Sequence, residues 1–274
     1  MLNQLIGGWP VITPNWSASS FNLYESLRNL YLNGYSAIFY WNISTNRSNL
    51  SRIIKFEGPV VKGGPGDIYR PGNPVEATQA YRYFIREIVT MLSPNTSASV
   101  LLDVRDLVDF EENLAGNFVQ NSSTNSMLTL GNFTRRYLST SILGRELIPL
   151  LQRIFSVVGL QRLINGTVVV EVANLQFFQR LAVQLQALDR LGHEGKKILA
   201  NYLGWRVVFA HLTTLPAEFL NSFNKFSQLV SGANNEQHTE RETTCADLVT
   251  SAMPFAVGFE YTNKLVPTAA KEKV

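Results

Sequence analysis

A chain of 274 residues that is 45% hydrophobic, with 16 Phe, 10 Tyr and 4 Trp, has enough apolar area for a sizeable core, which excludes disorder and fibrous repeats. Only 16% of its residues are charged and the net charge is +3, spread along the chain without basic runs, so no nucleic-acid surface is indicated. One cysteine and three histidines exclude a zinc ribbon or a dithiol redox site.

Asn22 or Ser20 caps a first short helix carrying Leu23, Leu27, Leu30 and Tyr31, which Asn33-Gly34 ends. The aromatic run 35–41 predicts a buried strand and 50–57 a second, joined as a hairpin. Residues 58–74 concentrate Gly and Pro and predict an irregular loop. From Val75 the period turns helical, with Ala77, Tyr81, Phe84, Ile85, Ile88 and Leu92 on one face until Ser93-Pro94. A partner helix over about 98–115 places Leu101, Val104, Leu107, Val108 and Leu114 inward. Its charged residues, Glu111 and Glu112 among them, point mostly outward, and Gly116 is the C-cap. Residues 117–132 are Ser/Asn-rich and read as a linker.

The remainder is mostly helical. Pro149 fits only near the start of a helix over about 146–158, and 167–172 is the one clear later strand. Asn174 caps a helix with Phe178, Leu181, Leu185 and Leu188 on one stripe, and Gly192 stops it. Leu199, Tyr202, Trp205, Val208 and Leu212 define the next helix, and Phe219, Phe223, Phe226 and Val230 another, with Pro216 in its first turn. A last helix over about 240–261 carries Cys245, Val249, Ala252, Ala256 and Phe259, with a kink at Pro254. The sum is a mainly α fold with a small β-sheet or hairpin near the N-terminus. It divides into a mixed segment 1–74, a helical pair 75–116, the linker 117–132, and a helical stretch 133–274 with one strand.

Chemistry is sparse. A zincin needs two histidines one helical turn apart with a glutamate between them, but His193-Glu194 continues as Gly195-Lys196-Lys197, and that glycine argues for a turn. His211 and His238 have no partners at ligand spacing. Gly63-Gly64-Pro65-Gly66 lacks the Lys-Ser/Thr of a phosphate cradle, and Asp109, Glu111 and Glu112 read as a solvated helix face. No catalytic residue, metal ligand or cofactor is expected within this chain.

Compartment signals conflict. The start lacks a basic n-region and a sustained apolar run, so it does not read as a signal peptide. The most apolar stretches, 142–160 and 198–212, are broken by charges and do not read as membrane spans. Against a cytoplasmic reading stand N-x-[ST] sequons at Asn15, Asn42, Asn46, Asn49, Asn95, Asn121, Asn132 and Asn165. They predict N-glycosylation and hence an extracellular or cell-surface ectodomain, with Asn95, Asn121 and Asn132 in open linkers. Idle triplets in an Asn/Ser-rich chain are the alternative.

Several ordered landmarks add a resemblance. Gly8-Trp9-Pro10-Val11 is followed by Asn15-Trp16, Gly66-Asp67-Ile68-Tyr69, Ala80-Tyr81 and the run Phe110-Glu111-Glu112-Asn113-Leu114-Ala115. Further on come Asn201-Tyr202-Leu203-Gly204-Trp205-Arg206, Cys245, and Ala256-Val257-Gly258-Phe259-Glu260-Tyr261. In order and spacing the chain resembles the N-terminal half of the neprilysin and endothelin-converting-enzyme family of zinc metallopeptidases, with Gly-Asp-Ile-Tyr where the family tends to have a Tyr-Tyr pair. The resemblance implies a cap over a substrate cavity that admits oligopeptides. It further implies a C-terminal catalytic domain of the same polypeptide as partner, which would hold zinc through H-E-x-x-H and E-x-x-x-D motifs. It also implies that Cys245 bridges to a cysteine lying before the Gly-Trp-Pro landmark, outside this chain. A free-standing binding or decoy module and an unrelated helical interaction protein stay open beside it.

Overall fold

The computed structural model describes residues 1–46, 50–58, 75–93, 99–119, 125–231 and 241–266. The chain separates into two compact units, Met1–Ala210 and His211–Val274. Among the described residues there are eleven α-helices and one four-stranded sheet, the mainly α architecture that the hydrophobic period predicts.

In the first unit, α1 (Leu2–Ile6) precedes α2 (Leu23–Leu32), which opens as expected on Asn22, whose side-chain oxygen accepts the Glu25 N–H. The hairpin of β1 (Tyr40–Thr45) and β2 (Arg52–Glu57) follows. The first strand starts later than the expected 35–41. Ala37, Ile38 and Phe39 are buried, but side chains take their carbonyls: Tyr202 Oη donates to Ala37 O at 2.8 Å and Tyr31 Oη to Phe39 O at 2.9 Å. Burial there is met without a ladder.

The sheet is completed from far along the chain. β4 (Val169–Ala173) runs parallel to β2, and β3 (Asn125–Thr129) pairs antiparallel with β4, giving the order β1-β2-β4-β3. β3 falls inside the stretch 117–132 expected as a linker. As an edge strand with polar Asn125, Ser126 and Thr129 it gains order from ladder bonds to β4, so its composition carries no strand signal. Residues 120–124 of that stretch, like most of the Gly/Pro loop with its Gly66-Asp67-Ile68-Tyr69 landmark, lie outside the described residues.

Helices α3 (Val75–Leu92) and α4 (Val100–Val119) form the expected pair, with two corrections in α4. The buried stripe is Val100, Val104, Leu107, Val108, Glu111, Leu114 and Ala115, and Leu101 is 56% exposed. The stripe thus begins at Val100 rather than Leu101 and takes in Glu111, one turn beyond Leu107 and Val108. Gly116 is no C-cap, because the helix continues to Val119.

Helix α5 (Leu130–Tyr137) leads into α6 (Leu143–Phe155), where Pro149 lies inside the helix rather than in its first turn. Pro149 and Arg145 are both on the exposed face, so the carbonyl that loses its N–H partner is left to water, which lowers the cost. Asn174 caps α7 (Leu175–Arg190) as expected, accepting the Phe177 N–H at 3.0 Å. After Gly192, α8 (His193–His211) begins at once. Gly195 is helical, not a turn residue; a Cβ there would stand 1.8 Å from Leu188 O, so it permits the close α7–α8 approach. On the sheet, α5 and α7 lay a ring cluster over β2, with Phe133–Phe178 centroids at 5.1 Å and Phe56–Phe133 at 5.3 Å.

In the second unit, α9 (Ala217–Ser231) buries Phe219, Leu220 and Phe226. Pro216 stands just before this helix, and its carbonyl accepts the Phe219 N–H at 3.1 Å. The expected last helix is two, α10 (Arg241–Ala252) and α11 (Pro254–Leu265). Pro254 ends one and starts the other rather than kinking a single rod. Met253 before it is forced to φ −133°, ψ 56°, and proline is favoured at a first helical position.

Candidate functional site

The landmarks around Trp9, Tyr81, Phe110 and Asn201 converge. Trp9 is fully buried; its Nε1 donates to Asn201 O at 3.0 Å, while Asn201 Oδ1 accepts the Val11 N–H at 3.0 Å. Gly204, one helical turn on, leaves room for the indole: a Cβ at that position would lie 2.4 Å from Trp9 Cδ1. On α8 the next residue, Trp205, donates from Nε1 to Tyr81 Oη of α3 at 2.6 Å. Tyr81 in turn donates to Glu111 Oε2 of α4 at 2.8 Å. Arg206 Nη1 lies 3.6 Å from Glu111 Oε1, an ionic contact rather than a hydrogen bond. The Phe110 and Tyr202 rings meet edge-on at 4.9 Å beside them.

Burial governs the electrostatics of this cluster. Removal from water raises the Glu111 carboxyl above the ordinary glutamate range, against the pull of Arg206 and the Tyr81 hydrogen bond. Burial likewise pushes the Tyr202 phenol up. For Arg206 burial works against the charge, but Tyr202, Glu111 and Tyr81 around it leave its pKa raised. With Tyr81 both accepting and donating, the arrangement fastens α3, α4 and α8 to one another. Glu111 is thus the missed residue: it was expected on a solvated face and is 4% exposed. Its spacing from Leu107, Val108, Leu114 and Ala115 puts it on the apolar stripe, a signal legible in the sequence. Glu112 is exposed, and Asp109 pairs with Arg82 at 2.6 Å on the partly exposed flank.

The open surface is different in kind. A groove of about 640 Å³ between α4 and α7 is lined by amides (Asn113, Gln176, Gln179 and Gln184) with Arg180 and Val183. It adjoins a smaller groove of about 230 Å³ that shares Asn113, Gln184 and Ala187 and reaches Phe110. Amides donate and accept, so such a surface suits extended polypeptide backbone.

The described residues do not fit a zinc ion. His193 and His211 stand at opposite ends of the nineteen-residue α8, and among the described residues no three His, Cys, Asp or Glu side chains group to hold a metal. His193 packs instead against Trp16 at 5.9 Å, and His238 lies outside the described residues, as does the glycine run 63–66. Of the sequon asparagines, Asn15, Asn132 and Asn165 are exposed and Asn42 and Asn46 half-buried, while Asn49, Asn95 and Asn121 lie outside the described residues. Asn132 is in the first turn of α5 rather than in an open linker. Cys245 is free and exposed on α10.

Fold and packed landmarks together define a helix-rich domain built on a small mixed sheet. The chain belongs to peptidase family M13, whose N-terminal-domain profile matches residues 1–274. It is 22% identical over 267 residues to neprilysin-11 of Caenorhabditis elegans, covering 93% of this chain and 30% of that protein. It is 24% identical over 290 residues to human membrane metallo-endopeptidase-like 1, covering 99% and 35%. The chain therefore spans about a third of the length of the curated relatives it matches. The open-state structure of the zinc metalloprotease Zmp1 from Mycobacterium tuberculosis shares its fold, with a TM-score of 0.69 at 15% identity over 94% of this chain and 39% of that one.

Proposed function

We propose that this chain is the cap half of a neprilysin-like zinc metalloendopeptidase, working with a C-terminal catalytic domain of the same polypeptide that binds zinc and cleaves oligopeptides. The observation that carries this reading is the surface of α10 and α11. Phe255 is 92% exposed, Leu265 69%, Phe259 65% and Tyr261 60%, and α11 buries no residue at all. So much apolar side chain left open marks a surface that another protein part covers. A family whose matched relatives are about three times as long supplies that part.

In the complete protein the cap's task is enclosure: it limits access by size and excludes water from the reacting peptide, and its amide-lined groove meets backbone without demanding a side-chain sequence. Zinc supplies Lewis-acid and water-activating chemistry where it is bound; no residue described here is assigned to it. The sequons and the family support an extracellular or cell-surface glycoprotein. Among the described residues no helix is long and apolar enough to cross a membrane. The exposed Cys245 is assigned as a half-cystine whose partner lies outside these 274 residues.

The test compares the natural protein with these 274 residues by themselves on a quenched fluorescent peptide. Chelator-sensitive cleavage by the natural protein, with none by the shorter chain, is expected. Turnover by the shorter chain, or stoichiometric zinc retained by it after dialysis, overturns the reading.

A further inference from the structure

The turn leading into β4 presents an acceptor for covalent modification. We propose that, in the folded protein, Asn165 carries an N-linked glycan and Asn42 does not; this rests on the secretory reading above. In Asn165-Gly166-Thr167 the Asn165 carbonyl accepts the Val168 N–H at 3.2 Å, closing a four-residue turn. Asn165 Oδ1 accepts both the N–H of Thr167 at 2.9 Å and its hydroxyl at 2.6 Å, a side-chain turn of the kind asparagine favours.

Both flanks of the turn are pinned. Ile164 is 4% exposed and its carbonyl accepts Gln152 Nε2 at 2.8 Å; the Gly166 carbonyl accepts the Gly131 N–H at 2.9 Å. Asn165, Gly166 and Thr167 are nonetheless all exposed. Among the described residues no hydrogen bond occupies Asn165 Nδ2, so the amide is anchored by its oxygen and free at its nitrogen.

Two other sequons among the described residues lack this combination. Asn42 sits in edge strand β1, half-buried, with its Oδ1 wholly buried and without a hydrogen-bond partner, so neither the N–H nor the hydroxyl of Ser44 holds its amide oxygen. In Asn132-Phe133-Thr134 the threonine is 3% exposed and its hydroxyl donates to Gly131 O at 3.1 Å inside α5. The modification is a group transfer from a polyprenyl-pyrophosphate-linked oligosaccharide. A bond forms between Asn165 Nδ2 and the sugar C1 as the C1–phosphate oxygen bond breaks; the pyrophosphate leaves with the electron pair and Nδ2 gives up one proton. Donation from Thr167 to Oδ1 stabilises the electron-rich amide that this proton loss creates.

The natural protein, secreted or displayed by a eukaryotic cell, is digested with a peptide-N-glycosidase in heavy-oxygen water and its peptides weighed. Labelled aspartate at 165, none at 42, release of the Asn165 glycan without prior denaturation, and loss of one glycan's mass in Asn165→Gln are expected. An empty Asn165 beside other occupied sequons overturns the assignment and leaves the secretory reading standing. Occupancy of Asn42 equal to that of Asn165, or a glycan at 165 released only after denaturation, also overturns it. No glycan at any sequon overturns both.

Discussion

Gly204→Ala places one methyl group where the structure has none to spare. The new Cβ would stand 2.4 Å from Trp9 Cδ1, 2.6 Å from Cγ and 2.9 Å from Nε1, so the indole has to retreat by about 1 Å to reach ordinary contact. Trp9 is fully buried, and retreat stretches its 3.0 Å bond to Asn201 O. Overpacking costs about 1–3 kcal/mol, and a buried donor left unsatisfied about 1–3 kcal/mol more. Replacing a mid-helix glycine returns about 1 kcal/mol. The net loss is about 3 kcal/mol, or about 6–12 °C in Tm for a unit of this size. All four tryptophans, Trp9, Trp16, Trp41 and Trp205, belong to the first unit, so their emission during urea or thermal unfolding reads that unit alone. In a Trp9→Leu background the same substitution should cost nothing, because the ring it strikes is gone. A Gly204→Ala protein as stable as its parent, or one equally weakened in both backgrounds, refutes this packing account.

Tyr81→Phe removes the hydroxyl between Trp205 Nε1 and Glu111 Oε2, so two buried groups lose a partner. Unfolding midpoints should report a loss of about 2–4 kcal/mol, and a loss under about 0.5 kcal/mol contradicts the network. Glu111 gives a pH signature. Its carboxyl pKa is raised in the fold, so the native state holds that proton more tightly than the unfolded chain. Stability therefore falls as pH rises from the ordinary glutamate range through the raised native value. Glu111→Gln lacks this slope, so its deficit relative to the parent should shrink with rising pH, and a constant or growing deficit in urea titrations speaks against it. Gly195→Ala meets the Leu188 carbonyl at 1.8 Å, an obstacle of backbone, and should be worse than Gly204→Ala in the same emission assay. Phe255→Ser, at a side chain 92% exposed, should shift the unfolding midpoint of the 274 residues by under about 0.5 kcal/mol while reducing their self-association in light scattering.

Helices were legible wherever an apolar stripe had one partner surface. The stripe of α3, the Asn22 and Asn174 caps and the Phe178-Leu181-Leu185-Leu188 row of α7 follow from spacing alone. Local sequence stops being decisive where a long-range partner determines the outcome. β3 is ordered by β4, which lies some forty residues further along, and 35–39 is withheld from the sheet by tyrosines of α2 and α8. Glu111 was legible by position and misread by residue type: a carboxylate on a helix is usually solvated, and the Tyr81 and Arg206 groups that keep it inside are 30 residues before it and nearly a hundred after. The grooves between α4 and α7 were beyond reach, because a concavity belongs to two helices at once and neither sequence contains it.

The clasp between Trp9 and Asn201 joins residues 192 apart, and that interval sets a clock for biosynthesis. A ribosome adding roughly 5–20 residues per second needs about 10–40 s to make the α8 segment after the Trp9 segment has emerged. Throughout that interval the indole has no seat, and β2 waits a little over half as long for its parallel neighbour β4. The nascent segment around Trp9 is therefore a prolonged client for whatever chaperones attend its synthesis, and slow codons placed before α8 would lengthen its exposure.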